Sequence, residues 1–338
     1  MTVRLWTMLF AWLVSAPAMA QTNLLIITGL GGEAEYTSQF HEWAVTLIDA
    51  AVSRYEVPVE NVTYLGEKPE LAPDIIDDRS SRENVQTAVE DIATRAVPGS
   101  HVVIVMFGHG SFTDVARINL PGRDLSAGDF AGLLDMLNGQ QVTFVNTASA
   151  SGPFIEKLSG NGRAVVTATR SGGERNASVF GGYFVAAFAA GQEDADQDKN
   201  RRVSMLEAYT YARSRVEQSY EASGLLATEH ALLDDNGDGK GTSEADPLTG
   251  DGMFARSLFF TSVEGLQSDV AFPHDPQLAP LYEKQNALEI QIEDLRRLSG
   301  GVDPEQYEQE LERLLIELAL MSREIRNHEA AMSESGDR

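Results

Sequence analysis

The sequence predicts a three-layer α/β/α sandwich with a mainly parallel sheet, followed by a C-terminal α-helical hairpin. Two observations predict the sandwich. Short runs rich in Val and Ile alternate with stretches of helical spacing. The longest of these runs, HVVIVMF from His101, is apolar on both faces, as in a central strand of a parallel sheet. A third observation, four-three apolar spacing near the C-terminus, predicts the hairpin.

The first predicted unit is a strand at Asn23–Gly29 that turns into a helix at Tyr36–Arg54, where apolar residues recur at helical spacing. The further elements follow in alternation. They are a strand at Val62–Leu65, a polar loop at Asp77–Glu83, a helix at Asn84–Ala96, the strand from His101, a helix at Asp124–Leu137 with Ser126 as N-cap, a strand from Gln141, an element at Phe154–Leu158, a strand at Arg163–Thr169, helices at Val179–Ala190 and Met205–Tyr220, and a last strand at Ala255–Thr261.

The first 20 residues have the pattern of a secretory signal peptide. Arg4 precedes an apolar run from Leu5 to Val14, and Ala18-Met19-Ala20 forms an A-x-A cleavage site before Gln21. The apolar run is too short for a transmembrane helix. We therefore expect a mature protein that starts at Gln21, has no membrane span, and is periplasmic or secreted.

Composition excludes several classes of function. The chain of 338 residues has no cysteine, so disulfides, thiolate catalysis and Cys-ligated zinc are excluded. The formal charge is −25 and becomes −26 when Arg4, the only charged residue of the signal peptide, is removed. Such a surface repels nucleic acid and favours cations and basic partners. We expect no nucleic-acid binding and no organic cofactor.

Two strand ends carry the candidate catalytic residues. The His101 strand stops at Gly108-His109-Gly110, and the next long strand leads into ASASG, which contains Ser149. The carboxyl ends of parallel strands share one edge of a sheet, where ligands bind in open α/β folds. Adjacent strands would place His109 and Ser149 several ångströms apart, as a base and a nucleophile are placed. Taken alone, each segment also fits a turn of small residues.

The order strand, Gly-His-Gly, helix, strand, Ala-Ser-Ala-Ser-Gly resembles the legumain and caspase-like cysteine peptidases of clan CD, including the C13 type, in a bacterial-type exported form. The resemblance covers about Asn23 to Ala190 and implies a caspase-like fold. By it, His109 is the catalytic histidine, Gly110 lends its amide to the oxyanion hole, and Ser149 stands at the position of the nucleophilic cysteine. The segment VVTATRSGGE resembles the wall of the substrate pocket. The implied substrate contacts there are Thr169, Arg170, Ser171 and Glu174.

Serine at the nucleophile position leaves two hypotheses open. A cysteine beside histidine readily becomes a thiolate, whereas a serine reacts only when a base removes its proton during attack. The first hypothesis is a non-catalytic or atypical homologue that binds a peptide or protein in the cleft. The second is an endopeptidase that uses Ser149 with His109 as base. A carboxylate orienting His109 would favour the second, and Asp114 is the one near in sequence.

An acidic segment fits an EF-hand-type calcium loop that starts at Asp196. Oxygen-bearing residues fall on positions 1, 3, 5, 7, 9 and 12, and Val203 takes the apolar position 8. Arg201 replaces the usual glycine at position 6. The predicted calcium ligands are Asp196, Asp198, Asn200, Arg202, Ser204 and Glu207.

A second acidic run, DDNGDGKG, offers half of such a site. Asp234, Asn236 and Asp238 take positions 1, 3 and 5, but Ala245 stands at position 12, so Glu244 or Asp246 would have to substitute. Both runs also fit solvated acidic loops. If calcium binds, a third hypothesis is a calcium-dependent structural protein that acts through its C-terminal coiled coil.

The tail is predicted to form two antiparallel helices. Apolar residues from Leu281 to Leu295 and from Tyr307 to Ile325 follow heptad spacing, and Gly300-Gly301 separates them. Three arrangements of the hairpin are open: it packs within the chain, it forms a homodimer, or it binds a helix of a partner protein. The predicted organisation is a signal peptide at 1–20, a caspase/legumain-like domain at 21–190, an acidic calcium-loop region completing it at 191–262, a proline-rich linker at 263–280, the hairpin at 281–328 and a disordered tail at 329–338.

Overall fold

The structure is a computed structural model. It describes residues 21–189, 194–200, 202–260 and 304–336, together with positions 278, 280, 281, 284, 285, 287, 288, 291, 292 and 295. The predicted signal peptide and most of the predicted linker lie outside these residues.

In the part of the chain that the structure describes, ten strands form two sheets. The strands are β1 (Thr22–Thr28), β2 (Val62–Gly66), β3 (Asp78–Arg79), β4 (His101–Phe107), β5 (Gly110–Phe112), β6 (Ala116–Ile118), β7 (Leu125–Ser126), β8 (Gln141–Asn146), β9 (Arg163–Thr167) and β10 (Leu232–Asp234). The main sheet has the order β10-β9-β8-β4-β1-β2-β3, and every pair is parallel except β10 with β9. The predicted mainly parallel sheet is therefore confirmed.

Helices cover both faces of this sheet. They are α1 (Ala34–Asp49), α2 (Arg82–Arg95), α3 (Ala127–Leu134), α4 (Phe154–Leu158), α5 (Phe180–Phe188) and α6 (Met205–Ser223). Alternate residues of one strand serve opposite faces: Val103 packs in a core with α1, α5 and α6, whereas Ile104 packs in a core with α2, α3 and α4. Two cores on one sheet make the predicted three-layer sandwich.

Local capping signals set several helix boundaries. The predicted N-cap Ser126 accepts a hydrogen bond from the amide of Asp129 and forms a capping box with it. Ser81 caps α2, so that helix begins at Arg82, inside the segment predicted to be a polar loop. The first helix ends earlier than predicted, at Asp49, and continues as a π-helical turn at Ala50–Arg54.

The predicted last strand at Ala255–Thr261 is wrong for residues 255–260, and Thr261 lies outside the described residues. Its start is a 3-10 turn, and the chain then buries Leu258 and Phe260 in the core without joining the sheet. The edge beside β9 is occupied by β10, which pairs with it in antiparallel register from Leu232↔Thr167 to Asp234↔Val165. A segment can be as apolar as a strand and still serve only as packing.

The C-terminal segment contains the helix α7 (Pro304–Gly336). The described positions between 280 and 295 are also helical, and Leu288 and Ile292 share a buried apolar cluster with Leu314 and Ile325 of α7. The cluster is what an intramolecular hairpin requires. The helix continues to Gly336, past residue 329, where the predicted tail begins. No helix in the described ranges is long and apolar enough to cross a membrane.

Candidate active site

The predicted neighbourhood of the two strand ends is present. Strands β4 and β8 pair in parallel, from His101↔Gln141 to Met106↔Asn146, so both chains leave the sheet at the same edge. His109 follows the end of β4 by two residues, and Ser149 follows the end of β8 by three. The sheet therefore delivers both candidate residues to the edge where α/β folds bind ligands.

Ser149 is held against the amide of Gly110. The side chain is buried, and its Oγ accepts a hydrogen bond from the Gly110 amide at 3.2 Å. Oγ also lies 3.3 Å from the carbonyl oxygen of the same residue, to which it can donate. The amide that the family resemblance assigns to an oxyanion hole therefore points at the serine itself.

Gly110 is the residue that permits this contact. A Cβ on Gly110 would lie 2.1 Å from the carbonyl oxygen of Ser149 and 3.1 Å from that of Arg117. Strand β5 thus passes between two backbone carbonyls with no room for a side chain. Any other residue here would force β5 away from the Ser149 turn.

The turn that contains Ser149 has a strained backbone, and the loop at residues 170–174 stabilises it. Ala150 has a φ of 55°, in the left-handed region that costs a non-glycine residue about 1 kcal/mol. Its amide donates to the carbonyl of Glu174 at 2.7 Å, and Gly152 packs so closely on Arg170 that a Cβ would meet the Arg170 carbonyl carbon at 2.3 Å. The loop from 170 to 174 therefore fixes the conformation of the serine turn.

The imidazole of His109 is oriented by helix α1 and the loop before it. Its ring centroid lies 4.7 Å from Tyr36 and 5.3 Å from Phe40, both in edge-on geometry. Burial lowers the pKa of His109, while a hydrogen bond to the Gly31 carbonyl and the charge of Glu33 oppose this decrease. The ring is therefore neutral at pH 7 and retains a basic nitrogen.

Asp114 does not have the orienting role that sequence proximity suggested. It is exposed in the loop between β5 and β6, and the carboxylate that acts on the imidazole is Glu33. Among the hydrogen bonds between described residues, none joins the His109 ring to Ser149 Oγ. The serine is paired with Gly110 and the histidine with Gly31, so the two side chains do not form a connected dyad in this structure.

We predict that the imidazole of His109 titrates with a midpoint below 6.5, and that Glu33→Gln lowers this midpoint further. A lowered folded-state pKa disfavours protonation of the folded protein, so this group removes stability as the pH falls below 6.5. Heteronuclear NMR of the ring C–H signals measures both midpoints. Glu83→Gln, which changes an acid on α2, is the control. A midpoint above 6.5 in the unsubstituted protein would contradict the assignment.

Of the four residues predicted to contact substrate, two are buried or mostly buried and support the loop, and two are exposed at its surface. Thr169 is fully buried, and its Oγ1 accepts the amide of Gly152 and bonds Ser151 Oγ, so it belongs to the framework. Arg170 and Ser171 are exposed beside the serine turn and remain candidate contacts. Glu174 is mostly buried and serves to hold the loop.

His230 lies beside the candidate site but is not among the site residues predicted from the sequence. Its Nδ1 lies 2.7 Å from Glu174 Oε1, and its amide donates to the other carboxylate oxygen. Arg170 completes the network, with its Nε 3.0 Å from the same Glu174 oxygen. Glu174 therefore joins His230, Arg170 and, through its carbonyl, the serine turn. No local pattern signals this, because residues 174 and 230 are 56 positions apart.

The first predicted calcium loop brings three carboxylates together. Ligand oxygens of Asp196, Asp198 and Glu207 all lie within 4.8 Å of one another. Burial and the charge of Asp196 raise the pKa of Glu207. Both Glu207 oxygens also accept hydrogen bonds, from the amides of residues 197 and 198 and from Ser204.

The other three predicted ligands of this loop are positioned differently. Ser204 is the N-cap of α6, and its Oγ pairs with Glu207 in a capping box. Asn200 accepts from the amide of Arg202 and donates to Asp198. The guanidinium of Arg202 is buried over the Phe259 ring, 3.9 Å from its centroid. A guanidinium does not bind metal ions, and position 7 of an EF-hand loop contributes its backbone carbonyl.

The second predicted loop, with Asp234, Asn236 and Asp238, begins at Asp234, the last residue of β10. Of the two substitutes considered for position 12, Glu244 is exposed, and Asp246 accepts hydrogen bonds from Leu248 and Thr249 within its own turn. Neither is directed into the loop by any described contact.

No protein-family model matches the chain, and no curated protein matches it at a significant level. Among solved structures, the chain is similar to protein GSU0716 from Geobacter sulfurreducens, with 13% identity over 71% of this chain and 98% of that one, and a TM-score of 0.43. It is also similar to drICE, with 11% identity over 64% of this chain and 87% of that one, and a TM-score of 0.37. Caspase-1 from Spodoptera frugiperda gives 9% identity over 64% of this chain and 86% of that one, and a TM-score of 0.39. Because these scores lie below 0.5, the function has to be inferred from the residues of the site.

Proposed function

We propose that this chain is an exported protein of caspase-like fold whose cleft, at the carboxyl edge of the sheet, binds peptide segments without cutting them. The supporting observation is the pairing of Ser149. Its Oγ is bonded to Gly110 and not to His109, so no base is in place to remove its proton.

The rim of the cleft suggests the charge of the ligand. Arg117 and Arg175 direct their guanidinium groups to backbone carbonyls, and Arg170 lies exposed beside Glu174. These cations stand on segments that contact the serine turn or β5, on a chain whose net charge is −25. Guanidinium groups pair well with carboxylates, and the acidic surface elsewhere on the protein repels anionic ligands. The proposed ligand is therefore a peptide that carries Asp or Glu.

A second candidate function, hydrolysis, is favoured by one observation. The lowered pKa of His109 favours the neutral ring, which has a nitrogen that can accept a proton. In that reaction a ring nitrogen would take the proton of Ser149 Oγ while the oxygen attacks a peptide carbonyl, and the proton would then pass to the leaving amine. A water molecule, deprotonated by the same ring, would next attack the acyl-serine and release the carboxylic acid and the free hydroxyl of Ser149. The first step requires a shift of Ser149 away from Gly110 and towards His109 when substrate binds.

One experiment separates the two functions. The mature protein and its Ser149→Ala and Ser149→Cys forms are incubated with a diverse peptide mixture, and new termini are identified by mass spectrometry. We expect no cleavage by the unsubstituted protein or by Ser149→Ala. A thiolate needs no base at the moment of attack, so Ser149→Cys is expected to cut at a measurable rate if the cleft is complete. Cleavage by the unsubstituted protein that is lost in Ser149→Ala would overturn the binding proposal in favour of hydrolysis.

Binding is measured separately with fluorescein-labelled random peptides in an Asp/Glu-rich and a Lys/Arg-rich set. We expect anisotropy to increase with the acidic set, and the increase to be weaker for Arg170→Gln and at high salt. Arg215→Gln, on the exposed side of α6, is the matched control because it removes the same charge elsewhere. Equal binding of both sets would contradict the proposed charge preference.

A further inference from the structure

Residues 258–260 lie across the amino ends of β1 and β4, and we call them the strap. Each of their three backbone carbonyls accepts a hydrogen bond from a different element. The amide of Met205, the first residue of α6, donates to the carbonyl of residue 258 at 2.9 Å, and Nδ1 of His101 lies 2.9 Å from the carbonyl of residue 259. The hydroxyl of Thr22 donates to the carbonyl of residue 260. Because Thr22 and His101 begin β1 and β4, the strap lies at the edge of the sheet opposite the candidate active site.

The backbone of the strap depends on these three donors. The strap belongs to neither a strand nor a helix, so no ladder of hydrogen bonds satisfies its carbonyls. Its side chains add apolar contacts: Leu258 and Phe260 are buried, and the ring centroid of Phe260 lies 4.7 Å from that of Phe188. Strand β4, in contrast, pairs with β1 on one side and with β8 on the other. Of the two segments that the His101 hydrogen bond joins, the strap is therefore the one that opens more easily.

The imidazole of His101 uses both of its nitrogens in the neutral form. A carbonyl can only accept, so Nδ1 carries the ring proton and donates it to Phe259. Nε2 lies 2.8 Å from Thr143 Oγ1 and accepts the hydroxyl proton. The residue is buried, with 7% of its surface exposed. A second proton on Nε2 would turn this acceptor into a donor and would place a charge where water has little access.

The charged side chains around the strap oppose a positive charge on His101. The guanidinium of Arg202 lies over the ring of Phe259, Arg95 hydrogen-bonds a side chain of β1, and Arg256 stands two residues before the strap. The amino group expected at Gln21 after signal cleavage adds a further cation beside β1. The two residues that pair with His101 in the sheet are neutral. A protonated ring would thus add one more positive charge to this region.

Two other titratable groups lie on elements that pack against the strap. The ring centroid of Tyr55 lies 5.8 Å from that of Phe260, and burial raises the pKa of Tyr55 to about 12, so this group is neutral in acid. The buried carboxylate of Glu207 on α6 is bonded to the amides of residues 197 and 198. Burial lowers the pKa of His101 to about 4, and the hydrogen bond to the carbonyl of residue 259 opposes this decrease.

We propose that His101 makes the strap a pH-sensitive latch: the neutral ring holds the strap on the sheet, and a proton on Nε2 releases the strap in acid. Release gives the charged ring access to water, which the closed strap denies it. It also uncovers the apolar side chains of Leu258 and Phe260 and frees the amide of Met205 at the start of α6. The latch is independent of peptide binding, because the cleft lies at the opposite edge of the sheet.

Acid favours the open strap because the ring has a different pKa in each state. In the open strap, His101 is in contact with water and titrates near the ordinary value of about 6.5, whereas its pKa in the closed strap is about 4. The closed state is therefore fully favoured above 6.5 and loses this advantage as the pH falls towards 4. The ratio of open to closed molecules should increase about tenfold per pH unit in this interval, and ~300-fold in total.

The amide of Met205 reports the opening, because its hydrogen bond to the strap protects it from exchange with solvent. Its protection factor, the ratio of the intrinsic to the measured exchange rate, is followed by NMR from about pH 7 to about pH 4.5 in the mature protein. We expect this factor to decrease about tenfold per pH unit below 6.5. The amide of Ile104, in the middle of β4, should lose much less protection. A constant factor at Met205 would overturn the proposal, and so would an equal decrease at Ile104, which would indicate global unfolding.

Three variants assign the effect to the imidazole. His101→Gln keeps a donor for the strap but cannot gain a proton, so the protection factor of Met205 should become independent of pH, whatever its absolute value. Thr22→Val removes a hydrogen bond to the strap without changing the ring, so the factor should be lower at every pH and keep its slope. His41→Gln replaces a histidine of α1 that bonds Tyr64 and is the matched control, with an unchanged slope. The same slope in His101→Gln as in the unsubstituted protein would show that another group controls the opening and would refute the latch.

Discussion

Replacing Gly110 by alanine is expected to reduce the free energy of unfolding by about 3 kcal/mol and to remove peptide binding. The added Cβ would lie 2.1 Å from the carbonyl oxygen of Ser149, and neither backbone segment can yield easily. Strand β5 is bonded to β6 on one side, and the serine turn is held by Glu174 on the other. Overpacking of well-packed sites costs about 1–3 kcal/mol, and a backbone clash belongs at the upper end.

Urea unfolding at pH 7 measures this loss. Gly132→Ala is the control, because nothing lies within 4 Å of a Cβ at this helical position, and alanine there should stabilise the protein by up to about 1 kcal/mol. If Gly110→Ala unfolds at the same urea concentration as the unsubstituted protein and still binds acidic peptides, then β5 moves freely and the described pairing of Gly110 with Ser149 is not required.

The edge location of the candidate site could be predicted from sequence because it depends on local patterns. Runs such as HVVIVMF indicate buried parallel strands, and the residues that follow such strands necessarily share one edge. The adjacency of β4 and β8 then places His109 and Ser149 in one neighbourhood. The sequence pattern could not predict which groups His109 and Ser149 hydrogen-bond. Their partners, Gly31 and Gly110, are determined by how the loops fold back over the edge of the sheet.

Long-range partners account for most of what was missed. His230 reaches Glu174 across 56 residues, and Asp251 reaches Asp235 across 16. Neither pair has a spacing that a helix, strand or metal motif would show. Strand β10 was not predicted, because three residues are too few to show the alternation of a strand. The more apolar segment at 255–261 was predicted to be a strand instead.

Replacing Glu229 by alanine is expected to lower the free energy of unfolding by about 3 kcal/mol, because this residue caps α5 from 50 positions away. The residue before α5, Val179, has no capping side chain. The buried carboxylate of Glu229 instead accepts the amides of Val179 and Phe180 at 2.9 and 3.2 Å, and also the hydroxyl of Ser178. Hydrogen bonds to a charged group each contribute about 1.5–3 kcal/mol, and the helix N-terminus favours the negative charge.

Helix α5 depends on this cap because its own sequence is a poor helix former at that end. Gly181 and Gly182 open the helix, and both pack closely on the ring of Trp43, so they cannot be replaced by better helix formers. Urea unfolding of Glu229→Ala and Glu229→Gln at fixed calcium should show a smaller loss for glutamine, which keeps an acceptor oxygen. Glu217→Ala is the control, since its exposed pair with Arg213 contributes less than about 0.5 kcal/mol. Equal stability of Glu229→Ala and Glu217→Ala would show that α5 is stabilised by packing alone.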